Sequence, residues 1–347
     1  MIKNKIFKRI IRISCIFAIT FVLLFIFACV VKAKETEQKP DVVENDMAYL
    51  ENTINNDGNL KYTKFLEMFK DKIVDSYYKQ FTYDDYKDVD SNINSETIHD
   101  KTAIKLSVGD TYNFKVNVEE EGLYTIGFTY YIDSNSIIDT EASMVVDGIV
   151  EYYESLQLIF AQEWQSADEF KKDRYGNEIL PTATRIAKWY ENTYLLDGSS
   201  LHDSPLYIYL DSGENTISLT IKSGEVAISD IYLQSKNKYL TYEEYLAQHN
   251  GANFYDGDMI TIGAEDVYTK SSLDIRVYAL QDSTATRYDT SHKLLNAVYN
   301  ASWDNGNQSL SYKLNAPVEG LYTLSIKYLQ DSYLNMPFFR IIEWISI

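Results

Sequence analysis

Apolar and polar side chains alternate through residues 112–118: Tyr112, Phe114, Val116 and Val118 are separated by Asn113, Lys115 and Asn117. A period of two is the pattern of a strand with one face buried. Glu121-Gly122 then turns the chain, and "LYTIGFTYY" begins a second strand; glycine suits such a turn because it tolerates a positive φ. Residues 205–233 alternate again, with Gly213 and Gly224 at the turns, and read as a three-strand meander. Two segments carry the helical period instead. Phe65, Leu66, Phe69 and Ile73 fall on one face of 62–73, and Tyr242, Tyr245 and Leu246 on one face of 240–249. Short strands at regular spacing with few helices predict an all-β, antiparallel β-sandwich. Residues 163–200 fit neither period; a Trp-, Tyr- and Asp-rich stretch of that length is expected to be a functional loop or a local subdomain.

The pentapeptide "EGLYT" occurs at 121–125 and again at 319–323, and its flanks repeat with it. Phe114, Val116, Ile126, Phe128 and Tyr130 match Tyr312, Leu314, Leu324, Ile326 and Tyr328. Each copy is preceded by one of the helical segments, so the chain reads as two copies of one module, the second incomplete. The expected organisation is a leader over 1–34, an acidic linker over 35–61, a complete module over 62–240 and a partial module over 241–347. A half sandwich leaves an unpaired edge and an exposed apolar face, and the expectation is that the sequence is a fragment of a longer protein.

The leader holds Lys3, Lys5, Lys8, Arg9 and Arg12 without an acidic residue, followed by an apolar run over 13–31 interrupted by Ser14 and Thr20. That run is long enough to span a bilayer, and the positive charge before it places the following chain outside. Cleavage after Ala33, lipidation at Cys29 and retention as an anchor all remain open; each exports the protein, to the outer face of the cell membrane or beyond it. Both cysteines, Cys15 and Cys29, lie in the leader, so the exported part relies on its core without disulfides. A formal net charge of −19, with the basic residues enriched in the leader, argues against nucleic acid as a partner.

No catalytic motif is present. The histidines His99, His202, His249 and His292 share no metal-ligand spacing. Carboxylate pairs such as Asp168 with Glu178 can be nominated, but the sequence does not show the separation that glycoside hydrolysis requires, and a noncatalytic protein is expected. The 163–200 stretch does supply the mixture that sugars need, aromatic faces beside hydrogen-bonding side chains: Trp164, Asp173, Asn177, Glu178, Arg185, Trp189, Tyr190 and Asp197. Asn296 and Trp303, near Asp304, form a similar cluster in the second copy. Against this stands the structural alternative, in which both tryptophans anchor a long loop and the Asp and Asn side chains cap its turns. Glu265 and Asp266 are the residues considered for a structural calcium ion; no other cofactor is indicated.

The text of 156–210, with "VVDG" at 145–148, "YEEYL" at 242–246 and both "EGLYT" copies, resembles the N-terminal region of the large extracellular solute-binding lipoproteins of Gram-positive ABC transporters. Its most specific part is the Asp-x-x-Gly-Asn run from Asp173 to Asn177, followed by Pro181 and Trp189; "GAEDVY" (263–268) is a second point of likeness. The resemblance covers roughly 62–340. It implies modules similar to carbohydrate-binding modules, with a galactose-binding-like jelly roll, in front of a transporter-binding domain. After Arg340 the likeness ends, and no solute-binding domain follows. The resemblance therefore implies a membrane-tethered, noncatalytic region that engages oligo- or polysaccharide, with a transporter permease reached through a missing domain. A ligand-free spacer and an accessory module of a polysaccharide-degrading enzyme are the alternatives.

Overall fold

The computed structural model describes residues 60–86, 95–133, 137–167, 169–235, 240–298, 300–329 and 341–342. The apolar run at 13–31 lies outside these residues. Among the described residues no helix is long and apolar enough to cross a membrane.

Helix α1 (Tyr62–Met68) is followed by β1 (Tyr78–Phe81), a single helical turn α2 (Tyr83–Tyr86), β2 (Ser95–Ile98) and β3 (Lys101–Ser107). The long strands β4 (Thr111–Val118) and β5 (Gly122–Ile132) come next, then β6 (Glu141–Val146) and β7 (Leu158–Phe160). After the short β8 (Trp164–Ser166) and β9 (Ala183–Arg185) come β10 (Lys188–Asp197), β11 (Tyr207–Leu210), β12 (Gly213–Ser223) and β13 (Glu225–Gln234). The strands form an antiparallel two-layer sandwich. One layer runs β2-β3-β13-β5-β10, with β1 also on β13 and β11 also on β5; the other runs β4-β12-β6-β7-β10. Strand β10 belongs to both, pairing through Lys188–Tyr194 with β5 and through Leu195–Asp197 with β7.

The alternation at 112–118 does what its period demands: Tyr112, Phe114, Val116 and Val118 all point into the core. Ile217, Leu219 and Ile221 of β12 join them from the same layer. The opposite layer contributes Ile126, Phe128 and Tyr130. Phe114 meets Phe128 edge-on with ring centroids 6.3 Å apart, and Tyr130 meets Phe160 at 4.9 Å. Such perpendicular contacts suit the ring quadrupoles and add to the area buried.

Strands adjacent in sequence are mostly not partners. β4 pairs with β12, β5 with β13, β10 and β11, and β6 with β12 and β7. Residues 205–233 are therefore three strands but not a meander, because β11 and β13 join one layer and β12 the other. Gly213 and Gly224, both at positive φ, turn the chain across the sandwich. Residues 188–197, expected within a loop, form the ten-residue strand β10. Its weak periodicity reflects a bulge between Tyr190 and Thr193 and its change of sheet at Leu195.

The second copy is different. Helix α3 (Tyr242–Gln248) forms, as do the two-residue strands β14 (Thr269–Lys270), β15 (Val277–Tyr278), β16 (Ala297–Val298) and β17 (Leu310–Ser311). β14 pairs with β17 and with β8 of the first module, while β15 pairs with β16. No strand forms over 322–329, where the repeat had predicted one.

What the two "EGLYT" copies do share is an anchor. The N–H of Leu123 donates to the Lys72 carbonyl at 2.8 Å, and that of Leu321 to the Asn253 carbonyl at 2.9 Å. The Tyr124 hydroxyl donates back to the Glu120 carbonyl at 2.6 Å, and the Tyr322 hydroxyl to that of Val318 at 2.6 Å. The glycine is needed for the approach: a Cβ would lie 2.6 Å from the Lys72 carbonyl oxygen at Gly122 and 2.8 Å from that of Asn253 at Gly320. In both copies the pentapeptide is thus fastened by its backbone to the chain that leaves the lead-in helix.

Two predictions follow from the packing of the first module. Gly122→Ala should destabilise it by about 1–3 kcal/mol, as overpacking of a closed site does, while Gly320→Ala, in the exposed copy, costs less; urea unfolding of each variant reads the difference. Glu151 is buried, its carboxylate accepting the Tyr209 N–H at 3.0 Å, and burial pushes its pKa well above the usual carboxylate range. An acid whose folded pKa is raised contributes a stability that falls as pH climbs from the ordinary carboxylate value toward the raised one. Glu151→Gln keeps the acceptor and removes the ionisation, so its unfolding midpoint should exceed the parent's at pH 8 and match it near pH 4.

Candidate functional site

Most residues nominated from the sequence are held inside the fold. Trp164 is buried, with the Arg185 guanidinium 5.0 Å from its ring centroid. Arg185 is itself buried and donates to the Ile138 carbonyl at 2.7 Å. Tyr190 stacks on Tyr130 at 5.1 Å, and its hydroxyl accepts the Glu163 N–H at 2.7 Å. Asp197 accepts the N–H groups of Ser199, Leu201 and His202 at 2.9, 3.1 and 3.1 Å, capping the turn after β10. Asn296 closes a loop by accepting the Leu280 N–H at 2.8 Å and donating to the carbonyls of Leu280 and Arg287. The Trp303 indole donates to the Gln308 carbonyl at 3.1 Å.

The Asp-x-x-Gly-Asn run is a clasp between the two halves of the described chain. Asp173 accepts the N–H of Tyr175 and Asn177 at 2.8 and 2.9 Å and also takes the Asn177 amide, which holds its pKa below the usual range. Gly176, at φ +85, lets the turn lie on His292, whose Cδ2 would be 2.7 Å from a Cβ there. Asn177 accepts the Lys293 N–H at 2.9 Å, and Glu178 accepts the Leu295 N–H at 2.7 Å while pairing with Arg287. Glu265 also pairs with Arg287, at 3.3 Å, and Asp266 accepts the Gly263 N–H at 3.0 Å. Among the described residues no group of three or more His, Cys, Asp or Glu comes together to hold a metal ion. Asp168 lies outside the described residues.

A cleft of about 790 Å³ opens beside this clasp, lined by Phe170, Tyr268, Lys270 and Lys313 among others. Two of its lysines contact the protein. Lys270 donates to the Ile275 carbonyl at 2.6 Å, and the Lys313 ammonium sits 3.8 Å from the centre of the Tyr268 ring.

Trp189 is placed otherwise. On β10 it stands directly opposite Tyr131 of β5, on the outer face of the first layer, with ring centroids 5.6 Å apart. Tyr131 follows the alternation of its strand: Tyr130 points into the core and Tyr131 out of it, and both outward rings are half-buried. The hairpin joining β2 to β3 bends over this face. Its two-residue turn, His99-Asp100, has φ of 45° and 68°, the conformation that matches strand twist in a tight hairpin and that few residues besides glycine, Asn, Asp and His adopt readily. The turn brings the His99 ring to 5.6 Å from Tyr131, and the Trp189 indole donates to the Ile98 carbonyl at 3.3 Å.

Charged and polar groups surround the aromatic pair. Lys101 lies 5.6 Å from the centre of the Trp189 ring and 2.7 Å from the exposed Glu191 carboxylate. Asp230 stands across β13 opposite Thr129, and burial raises its pKa. Beyond it the Thr129 and Tyr232 hydroxyls are 3.0 Å apart, and Gln80 reaches Tyr232 at 3.3 Å. The bulge of β10 turns Asn192 to φ 42 and lays its side chain over Gly127, where a Cβ would lie 2.5 Å from Oδ1. Gln234 donates to that oxygen at 3.2 Å. The surface thus offers a two-ring platform bordered by a cation, two carboxylates and an ordered row of hydroxyl and amide groups. Of these, the sequence singled out Trp189. Tyr131, His99, Lys101, Glu191 and Asp230 come from a turn and from strands far apart in sequence; the doublet Tyr130-Tyr131 was the local sign that a ring must face outward.

No protein-family model matches the chain, and no curated protein matches it. Among solved structures, a family 35 carbohydrate-binding module from Clostridium thermocellum aligns at 14% identity and a TM-score of 0.26, over 46% of this chain and 98% of that one. A cycloisomaltooligosaccharide glucanotransferase from Paenibacillus sp., complexed with cycloisomaltoheptaose, aligns at 14% identity and 0.25, over 46% of this chain and 19% of the enzyme. A Podospora anserina GH26-CBM35 β-(1,4)-mannanase aligns at 14% identity and 0.21, over 49% and 28% of the two chains.

Proposed function

We propose that the sandwich over 60–235 is a noncatalytic carbohydrate-binding module that takes an oligo- or polysaccharide on the outer face of its first layer. The observation that carries this reading is the outward pair Trp189–Tyr131, half-buried and held in place by an indole hydrogen bond to Ile98. Sugar rings present apolar C–H faces that stack on aromatic rings, and hydroxyls at their edges that need donors and acceptors. Trp189 and Tyr131 are suited to the first, and Lys101, Glu191 and Asp230 to the second. A fixed platform binds at a low cost in side-chain ordering.

In the same reading the protein is exported and tethered by its apolar segment at 13–31, and serves as the front part of an extracellular solute-binding protein of an ABC transporter. Support comes from the positive residues ahead of that segment, the absence of cysteine after Cys29 and the acidic composition of the rest. The alternative with an observation in its favour is a ligand-free spacer: Trp164, Arg185, Tyr190 and Asp197 are all spent on internal contacts.

Titration of the full chain with a panel of soluble oligosaccharides, read by tryptophan fluorescence and calorimetry, separates the two. A carbohydrate module gives saturable binding to at least one glycan. Trp189→Ala should then weaken it about tenfold or more, the size of effect when a central aromatic contact of ~2 kcal/mol is truncated. Asn296→Ala, remote from the platform, should leave it unchanged. Absence of binding across the panel, or binding indifferent to Trp189→Ala, would favour the spacer.

A further inference from the structure

A second pair of aromatic rings lies on the same outer face as Trp189 and Tyr131, toward the other end of the layer. β1 pairs with β13, setting Tyr78 opposite Gln234 and Gln80 opposite Tyr232. Ile231 and Leu233 of β13 are in the core, so Tyr232 and Gln234, which alternate with them, face outward, and Tyr78 and Gln80 share their side. The Tyr78 ring is 60% exposed and stands 6.2 Å from that of Tyr232, which is 8% exposed. Tyr232 is held in turn: its hydroxyl lies 3.0 Å from that of Thr129 and accepts the Gln80 amide at 3.3 Å. One ring is thus presented to solvent and backed by another that is hydrogen-bonded in place.

Strand register sets the interval between this ring and the platform. Tyr131 stands opposite Ala227, and Tyr232 opposite Gly127. From Gly127 to Tyr131 along β5 is about 13 Å at ~3.3 Å per residue, and β1 lies two strands from β5, about 10 Å across. The Tyr78 ring and the platform are therefore roughly 15 Å apart. The interval carries hydrogen-bonding groups: the half-buried Asp230 carboxylate opposite Thr129, the exposed Gln80 amide, and the Asn192 amide laid over Gly127. A lone exposed tyrosine on an edge strand needs no explanation. A ring aligned with a second platform across a polar row does.

We propose that the outer face is one extended site for a linear glycan longer than a disaccharide. The chain stacks on Trp189–Tyr131 at one end and on Tyr78 at the other, and its intervening hydroxyls meet Asp230, Gln80 and Asn192. This rests on the carbohydrate reading above and adds to it the length of the ligand. A sugar or a pair of sugars occupies one end; only a longer chain joins both. Once the first end is bound, the second contact is intramolecular, so affinity climbs steeply when the chain becomes long enough to reach it.

The test titrates the full chain with cello-, xylo-, manno- and malto-oligosaccharides, each as the di-, tetra- and hexasaccharide, by calorimetry. In at least one series the hexasaccharide should bind about tenfold or more tighter than the disaccharide. Tyr78→Ala, at an exposed position, should weaken the hexasaccharide about fivefold or more and leave the disaccharide unchanged. Tyr78→Phe keeps the ring and should keep the gain with length. Trp189→Ala should weaken every length. Affinity that is flat with chain length, or a hexasaccharide indifferent to Tyr78→Ala, overturns the extended site while leaving a carbohydrate module confined to Trp189–Tyr131. Failure of every series to bind overturns the carbohydrate reading, and the extended site with it.

Discussion

The former half of the sandwich holds together only through the latter. β1, β4, β5 and β6 find their strand partners after Leu158, and β3, apart from its hairpin with β2, pairs with β13. Such long-range pairing must overcome the entropy of closing long loops before any hydrogen bond or buried area returns it. It yields a core in which Phe114, Phe128, Tyr130 and Phe160 meet across the two layers. The same requirement accounts for the second copy. Its sequence repeats the former half, its anchor forms, and its apolar positions still lie open, because the strands that would bury them belong to the other half.

Within the first copy lies the segment that the sequence marked as most distinctive. Its polar residues are consumed by structure. Asp173 and Asp197 satisfy turn N–H groups, while Asn177 and Glu178 tie the long loop to 293–295. A carboxylate accepting several N–H bonds is well satisfied and poorly placed to serve a ligand. Conspicuous composition therefore signalled a clasp. The platform of Trp189 and Tyr131 has plainer composition and is assembled by strand register: one residue of slip on β10 would turn Trp189 inward and Tyr190 outward. That is why Trp189 was legible as a candidate while its neighbours were not. His99 and Lys101 reach the face from a different hairpin, and Asp230 from a strand that a bulge between Ile228 and Asp230 has shifted.

The two lead-in helices divide the local from the global. α3 begins with a capping box: Thr241 Oγ1 accepts the Glu244 N–H at 3.2 Å, and Glu244 Oε2 accepts the Thr241 N–H at 2.8 Å. Both bonds close within three residues, so the sequence alone specifies this helix start. α1 has no side-chain cap from Lys61. Its Tyr62 N–H donates instead to the Glu154 carboxylate at 2.9 Å, from a residue 92 positions along the chain. Sequence by itself determined the strands with clean alternation, the turn glycines, α3 and the Tyr124 and Tyr322 bonds to carbonyls four residues back, all of which depend on neighbours along the chain. Tertiary structure alone decided which strands pair, that 188–197 joins both layers, which aromatic rings face out, and that one "EGLYT" strand is buried while the other is bare. Those outcomes depend on residues far away along the chain, and only the assembled core brings them within reach.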